Sequence, residues 1–101
     1  MGTAFFDTHL IRTLPETLMI VVDPAGAVVK AEVLSFEEPP EYLPKRRWFD
    51  LFTTRRLDRD LAAGRGIPVV TGATLTSRAV ADAVRRALAL HAVLIAGPAG
   101  P

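Results

Sequence analysis

Thr17-Leu18-Met19-Ile20-Val21-Val22-Asp23-Pro24-Ala25-Gly26-Ala27-Val28-Val29-Lys30-Ala31-Glu32-Val33-Leu34-Ser35-Phe36 is the stretch from which the fold is read. Thr17 to Val22 is a short apolar run of mostly β-preferring residues and predicts a buried strand. Asp23-Pro24-Ala25-Gly26 is a strong turn: Pro24 presets φ at the first central position, and Gly26 supplies the positive φ that closes a short hairpin. Ala27 to Phe36 is then the returning strand. Val29, Ala31 and Val33 fall on one face, with Lys30 and Glu32 on the other, so the second face is at least partly wet.

Upstream, Ala4 to Thr13 alternates loosely and predicts an edge strand, broken by Leu14-Pro15-Glu16. Downstream, Glu37 to Pro44 is rich in proline and acid. Pro39, Pro40 and Pro44 donate no hydrogen bond, so this segment is an ordered loop rather than a central strand. Lys45 to Thr53 carries Trp48, Phe49, Leu51 and Phe52 in a pattern that fits a short helix. Arg55 to Ala63, with Leu57 and Leu61 spaced i, i+4, predicts another turn or two of helix. Gly64-Arg65-Gly66 forces a loop, and Ile67 to Val70 is extended. Beyond Ser77 the pattern is helical: Val80, Val84, Ala87, Leu88, His91 and Ile95 form one stripe. Arg78, Asp82, Arg85 and Arg86 lie largely off it, with Asp82 and Arg86 a favourable i, i+4 pair. Gly97-Pro98 ends the helix, and the tail to Pro101 is expected to be loose. Strands first and helices after define an α+β domain: a small antiparallel sheet with a hairpin, short helices and one long C-terminal helix packed on one face.

The chain has 101 residues, which fits a single domain with a core over about residues 4–96. Half of its residues are hydrophobic, enough for a core, although a chain this short buries only about 60–65% of its unfolded surface. The net charge of +1 points away from nucleic acid as a partner. With no cysteine, disulfides, thiolate metal sites and iron–sulfur clusters are excluded. His9 and His91 are the only histidines, and no ligand-spaced cluster accompanies them. Met1-Gly2-Thr3-Ala4 lacks the basic start and long apolar run of a signal peptide. The expectation is that an N-terminal anchor or signal was trimmed or lies outside this stretch. Ala87 to Ala96 is too short an apolar run to span a bilayer.

The chemistry concentrates in Thr71-Gly72-Ala73-Thr74-Leu75-Thr76-Ser77. Four hydroxyls fall within one short segment, and Gly72 lets the backbone approach a ligand closely. The segment lies between an extended stretch and the longest helix, whose first amides have no internal partner and face outward at a positive dipole end. An anion, most often a phosphate, is stabilised there. Thr76 or Ser77 can serve as the N-cap. The segment also reads as an ordinary well-capped helix start. No Gly-Lys-Ser/Thr follows, so it is not a Walker loop, and one glycine does not make a dinucleotide fingerprint.

This string, followed by an Ala/Val/Arg-rich helix, resembles the signature of the FMN-binding domain family: Ser/Thr-Gly-Ala-Thr, often continued by Leu-Thr-Ser. The hairpin with its glycine turn (Val21 to Val29) and the strand ending in Glu38-Pro39 are similar too, and the resemblance covers roughly residues 16–95. The family includes flavin-carrying subunits of sodium-pumping NADH:quinone oxidoreductase and of Rnf-type complexes. The resemblance implies FMN held at this segment, carried by a phosphoester on the last Thr of the signature. That residue is Thr74, and the product would be a phosphothreonyl-FMN. A flavin transferase using FAD as donor would attach it. Thr71, Gly72, Ala73, Leu75, Thr76 and Ser77 would surround the phosphate end. Flavinylated members usually carry Asp three residues before the Ser/Thr, where this chain has Pro68, so covalent FMN, non-covalent FMN and loss of flavin all stay open. The resemblance further implies an electron-transfer module whose partners are redox proteins of a membrane electron-transfer chain, extracytoplasmic or periplasmic and membrane-associated. That makes it a carrier or redox-complex subunit rather than a stand-alone enzyme. The alternative is a non-redox binding or sensory domain of the same fold that has lost covalent flavinylation.

Around that segment, Tyr42 and Trp48 are candidates for contact with the flavin ring, with Phe49 and Phe52 expected in the core. Glu38 matches the family's Glu in the segment before the helix, although Pro-Pro-Glu-Tyr follows where Thr-Pro-Gly is common. Arg46-Arg47, Arg55-Arg56 and Arg85-Arg86 are expected to be solvated surface. Asp7 and His9 share one strand face, and His91 is expected to pack within the helix stripe. No nucleophile–base arrangement for hydrolysis is visible.

Overall fold

The computed structural model describes residues 2–96. Three antiparallel strands, β1 (Thr3–Ile11), β2 (Leu14–Val22) and β3 (Val28–Phe36), form one sheet in the order β1-β2-β3. A 3-10 turn (Pro40–Tyr42), a short helix α1 (Arg46–Phe49) and a second 3-10 turn (Asp50–Phe52) follow. The long helix α2 (Thr74–Ala96) completes the order. The expected helix end at Gly97-Pro98 and the tail to Pro101 lie outside the described residues. The α+β architecture is the one the patterning predicts.

Everything after the sheet packs on one of its faces: α2 on β1 and β2, and α1 with its following turn on β3. Glu16, Leu18, Ile20 and Val22 alternate along β2 as fully buried residues. Val80 and Val84 meet them from α2, and Trp48, Phe49 and Phe52 close the β3 side. Trp48 stands edge-on to both phenylalanines, at centroid distances of 5.0 and 5.3 Å. Full burial of each such side chain contributes about 1.5–3 kcal/mol.

The predicted β2–β3 hairpin is present. Asp23 closes it by accepting from the Ala25 and Ala27 amides, and Gly26 has φ +89°. Several other expectations are corrected. Leu14-Pro15-Glu16 does not break the first strand; it begins β2, paired with Ile11, Leu10 and His9. The break is the two-residue turn Arg12-Thr13. Pro15 is tolerated because the β2–β3 ladder starts only at Glu16↔Phe36, so on that side it has no bond to make. Val29 is exposed rather than facing the core with Ala31 and Val33, because it is the extra residue of a bulge between Val22↔Val28 and Val21↔Lys30. Residues 55–63 are not helical. The Asp58 carboxylate accepts from the Asp60 amide, and the Arg85 guanidinium takes the carbonyls of Asp58 (2.7 Å) and Leu61 (3.0 Å). These local and tertiary partners outcompete an i→i−4 ladder; Leu61 is buried and Leu57 is exposed. Ile95 is exposed as well, since the helix stripe outruns the sheet.

The arginine pairs are more than solvated surface. Arg56 donates to the Ala25 carbonyl, and Arg86 pairs with Asp7 at 3.0 Å instead of with Asp82. Asp7 in turn accepts from His9 Nδ1 (2.9 Å), while His9 Nε2 meets Glu16 at 2.6 Å. The register His9↔Glu16 makes this contact a cross-strand one. Glu16 is fully buried, so the imidazolium is its counter-charge. The Glu16 carboxylate, aided by Asp7, raises the His9 pKa against an opposing burial effect. Burial pushes Asp7 up, but hydrogen bonds from Arg86 and His9 outweigh it and hold its pKa below the ordinary value.

The sign of the linkage follows. Raised His9 contributes stability that is fully present below its ordinary value of 6.5 and is lost as pH climbs through the raised folded value. Lowered Asp7 contributes stability present above 3.8 and lost as pH falls through the depressed value. The melting temperature is therefore expected to be highest between these limits and to decline on the alkaline side. His9→Gln should remove the alkaline decline; a decline of equal size in that variant contradicts the assignment.

Candidate functional site

Val70, Thr71, Gly72 and Ala73 form a β-turn in which the Ala73 amide donates to the Val70 carbonyl at 2.9 Å. Gly72 occupies its third position at φ +84°, the left-handed conformation that a type II turn requires there. α2 begins at once with Thr74, and its first intrahelical-type bond runs from the Ser77 amide to the Ala73 carbonyl. The amides of Thr74, Leu75 and Thr76 therefore have no partner among the described residues.

The hydroxyls divide into two kinds. Ser77 Oγ donates to the Ala73 carbonyl at 2.7 Å and accepts from the Val70 amide at 3.2 Å. It staples the turn to the helix and is fully buried. Neither Ser77 nor Thr76 is the N-cap; both lie inside the first turn, because the helix starts earlier than its hydroxyl pattern suggests. Thr76 is 1% exposed, and its Oγ1 has no partner. A buried hydroxyl without a partner costs stability unless something outside the protein satisfies it. Thr71 and Thr74 are exposed.

Ile11, Arg12, Tyr42, Gly72, Ala73, Thr74, Leu75 and Thr76 line a cavity of about 220 Å³. The structure thus brings Tyr42, a candidate for contact with the flavin ring, to the segment 72–76. Arg12 is new: its guanidinium lies 5.2 Å from the Tyr42 ring centroid. Nothing in the local sequence marks it, since it comes from the β1–β2 turn. A larger cavity of about 680 Å³ is lined by Glu41, Leu43, Pro44, Lys45, Arg47, Trp48, Leu51 and Val70. Consecutive residues on two segments alternate between the cavities: Glu41 and Leu43 face the larger one and Tyr42 the smaller, while Val70 faces the larger and Gly72 the smaller. The two segments thus lie between the smaller cavity and the larger, mostly apolar one, which Glu41, Lys45 and Arg47 also line.

Three proposed site residues turn out to be engaged within the protein. Trp48 is 6% exposed, and its indole N–H donates to the Pro68 carbonyl at 2.8 Å, so it forms part of the core and shows one edge to the larger cavity. Glu38 lines neither cavity; its carboxylate accepts from the Thr13 and Leu14 amides at 3.4 and 3.2 Å. Ser77 is the staple already described. His91 packs in the core edge-on to Phe5. Among the described residues no cluster of His, Asp or Glu is placed to hold a metal, and no helix is long and apolar enough to cross a membrane.

The model of the FMN-binding domain matches residues 14–89, well over half of the chain. The chain belongs to the FMN-binding domain family. No curated protein and no solved structure matches it. Family membership supports FMN as the cofactor, and the small cavity fits the group on its own chemistry. Three free amides, a positive helix end and an orphaned buried hydroxyl are what a phosphate needs. Of the segment 71–77, Gly72, Ala73, Thr74, Leu75 and Thr76 line that cavity, whereas Thr71 and Ser77 do not.

The two buried hydroxyls make opposite predictions for the ligand-free protein. Ser77→Ala leaves the Val70 amide unsatisfied and should cost about 1–3 kcal/mol in urea unfolding. Thr76→Val removes a hydroxyl that has no partner and should leave stability equal or higher. Equal losses in the two variants would mean that Thr76 Oγ1 has an internal partner.

Proposed function

We propose that this domain is a flavin electron carrier in which the phosphate of FMN occupies the cavity at the start of α2. The observation that carries the reading is that Thr74, Leu75 and Thr76, whose amides have no partner among the described residues, line one small cavity at the start of α2. FMN, when bound, supplies one- and two-electron chemistry. The chain's residues hold and orient it. The amides of Thr74, Leu75 and Thr76 would donate to phosphate oxygens, while Leu43, Trp48, Leu51 and Val70 of the larger cavity would shield the ring from water. Lys45 and Arg47, which also line the larger cavity, favour added negative charge nearby.

Thr74 supports a covalent variant of this reading. Its side chain is exposed at the first helical position, on the wall of the same cavity, so a flavin transferase could reach its hydroxyl. The transferase would pass the FMN phosphoryl group from FAD to Thr74 Oγ1: the Oγ1–P bond would form as the FAD pyrophosphate bond breaks, with AMP leaving and the hydroxyl proton given up. Pro68 supports the second reading, a binding or sensory domain without covalent flavin, because it stands where flavinylated members carry Asp. Its carbonyl anchors Trp48, so the position is part of the packing. The proposed partners are redox proteins of a membrane electron-transfer chain, and the proposed location is extracytoplasmic, at a membrane surface. Both rest on the family.

Co-expression with a flavin transferase tests the proposal. Native protein is expected to be yellow and to keep its colour through denaturation and gel filtration. Thr74→Val should lose this retained label while still binding FMN reversibly. Label retained in Thr74→Val would move the attachment elsewhere; reversible binding in both proteins would favour the second reading; and a colourless native protein would rule out the carrier.

A further inference from the structure

We infer that Arg12 is a phosphate ligand of this site and that Glu38 is the residue that positions it. The inference rests on the reading of the small cavity as the phosphate end of an FMN site, and it adds a strand-turn arm to what is otherwise a helix-start cradle.

Arg12 is the one cation lining the small cavity among the described residues. It forms no ion pair and no hydrogen bond there, so its guanidinium donors are free. Its Cζ lies over the Tyr42 ring, 5.2 Å from the centroid, a cation–π contact that holds the guanidinium beside the cavity without using its N–H donors. Those donors are the part of arginine that recognises phosphate in a forked geometry. The unpartnered amides of Thr74, Leu75 and Thr76, which line the same cavity, provide only partial positive charge. A phosphate carries a full negative charge or more, and Arg12 provides the matching cation.

The backbone at Arg12 points the same way. Its φ is +56°, in a two-residue hairpin turn where glycine, asparagine or aspartate is the unstrained choice. A long β-carbon-bearing residue gains nothing for the turn itself, so the benefit has to come from the side chain. Glu38, buried and 25 residues away from Thr13 in sequence, accepts from both amides that follow Arg12 in that turn. It fixes the hairpin tip against the loop that carries Tyr42. Glu38 thereby acts on the ligand through Arg12 and touches no ligand atom.

The test uses protein expressed without a flavin transferase, titrated with FMN and with riboflavin, which differ by the phosphate alone. Native protein should prefer FMN. Arg12→Gln and Arg12→Gly should each lose roughly tenfold to a hundredfold in FMN affinity, as expected for one charge-assisted contact. Riboflavin affinity should be unchanged. Arg12→Gly should melt no lower than native protein, because glycine relieves the left-handed backbone. Glu38→Gln keeps a carbonyl acceptor and the fold, and should show a smaller loss confined to FMN. If the Arg12 variants keep the native preference for FMN, Arg12 is not a ligand, although the site reading survives. If Glu38→Gln lowers the melting temperature but not the FMN-to-riboflavin ratio, Glu38 is structural only. If native protein binds FMN no better than riboflavin, the phosphate reading fails, and the Arg12 inference fails with it.

Discussion

A three-stranded sheet with two solvent-facing surfaces does not stand on its own, and the packing of α2 against β1 and β2 is what makes this one possible. The contact is made by fully buried aliphatic side chains on both partners, Leu18, Ile20 and Val22 from the sheet and Val80 and Val84 from the helix. Because these residues fix the helix in rotation and in position along its axis, they also fix where its first turn points. The cradle of Thr74, Leu75 and Thr76 amides is therefore held by contacts a turn or more further along the same helix. Ser77 completes the coupling by tying the preceding turn to the first turn of the helix.

The same layer contains a polar island. Glu16 is buried, yet its companions on β2 are aliphatic, and its charge is answered by His9 from the neighbouring strand. Asp7 extends the island to Arg86 on α2. A hydrophobic contact tolerates sliding by a fraction of a residue, whereas a carboxylate–imidazole–carboxylate–guanidinium chain does not. The aliphatic residues supply the attraction, and the island specifies which register of helix against sheet is adopted.

The sheet hairpin, the α+β order and the segment 71–77 were legible because their signals are local: an Asp-Pro-Ala-Gly turn, alternation, and hydroxyls beside a glycine at a helix start. What escaped was tertiary in origin. The Arg12-Thr13 turn carries no glycine or asparagine, so Leu14-Pro15 took the role of breaker by default. Residues 55–63 have helical spacing, but their carbonyls are claimed by Arg85 from another element. At the candidate site, the segment lining the small cavity was readable as far as Thr76. Ser77 was not separable from it, since which of two adjacent hydroxyls turns inward depends on where the helix starts. Arg12 reaches the cavity through strand pairing some 60 residues away in sequence from Gly72, a relation with no local signature. Glu38 was singled out by family likeness, and its contact with the turn amides shows what it does here.

The two irregularities of β3 carry a further implication. Val29 and Leu34 are each an extra residue opposite an otherwise regular β2, and both point away from the core. They restore the alternation, so that Val28, Ala31, Val33 and Phe36 share the inner face despite uneven spacing. The strand thus carries two insertions that its partner does not register. Removing either residue would leave the pairs on both sides of it in place, now as an unbroken ladder, and would remove only the local bend. Substituting either one likewise leaves the pairing untouched. In β3, then, these two places are free in length as well as in residue identity, so relatives should differ there by single-residue gaps as readily as by substitutions.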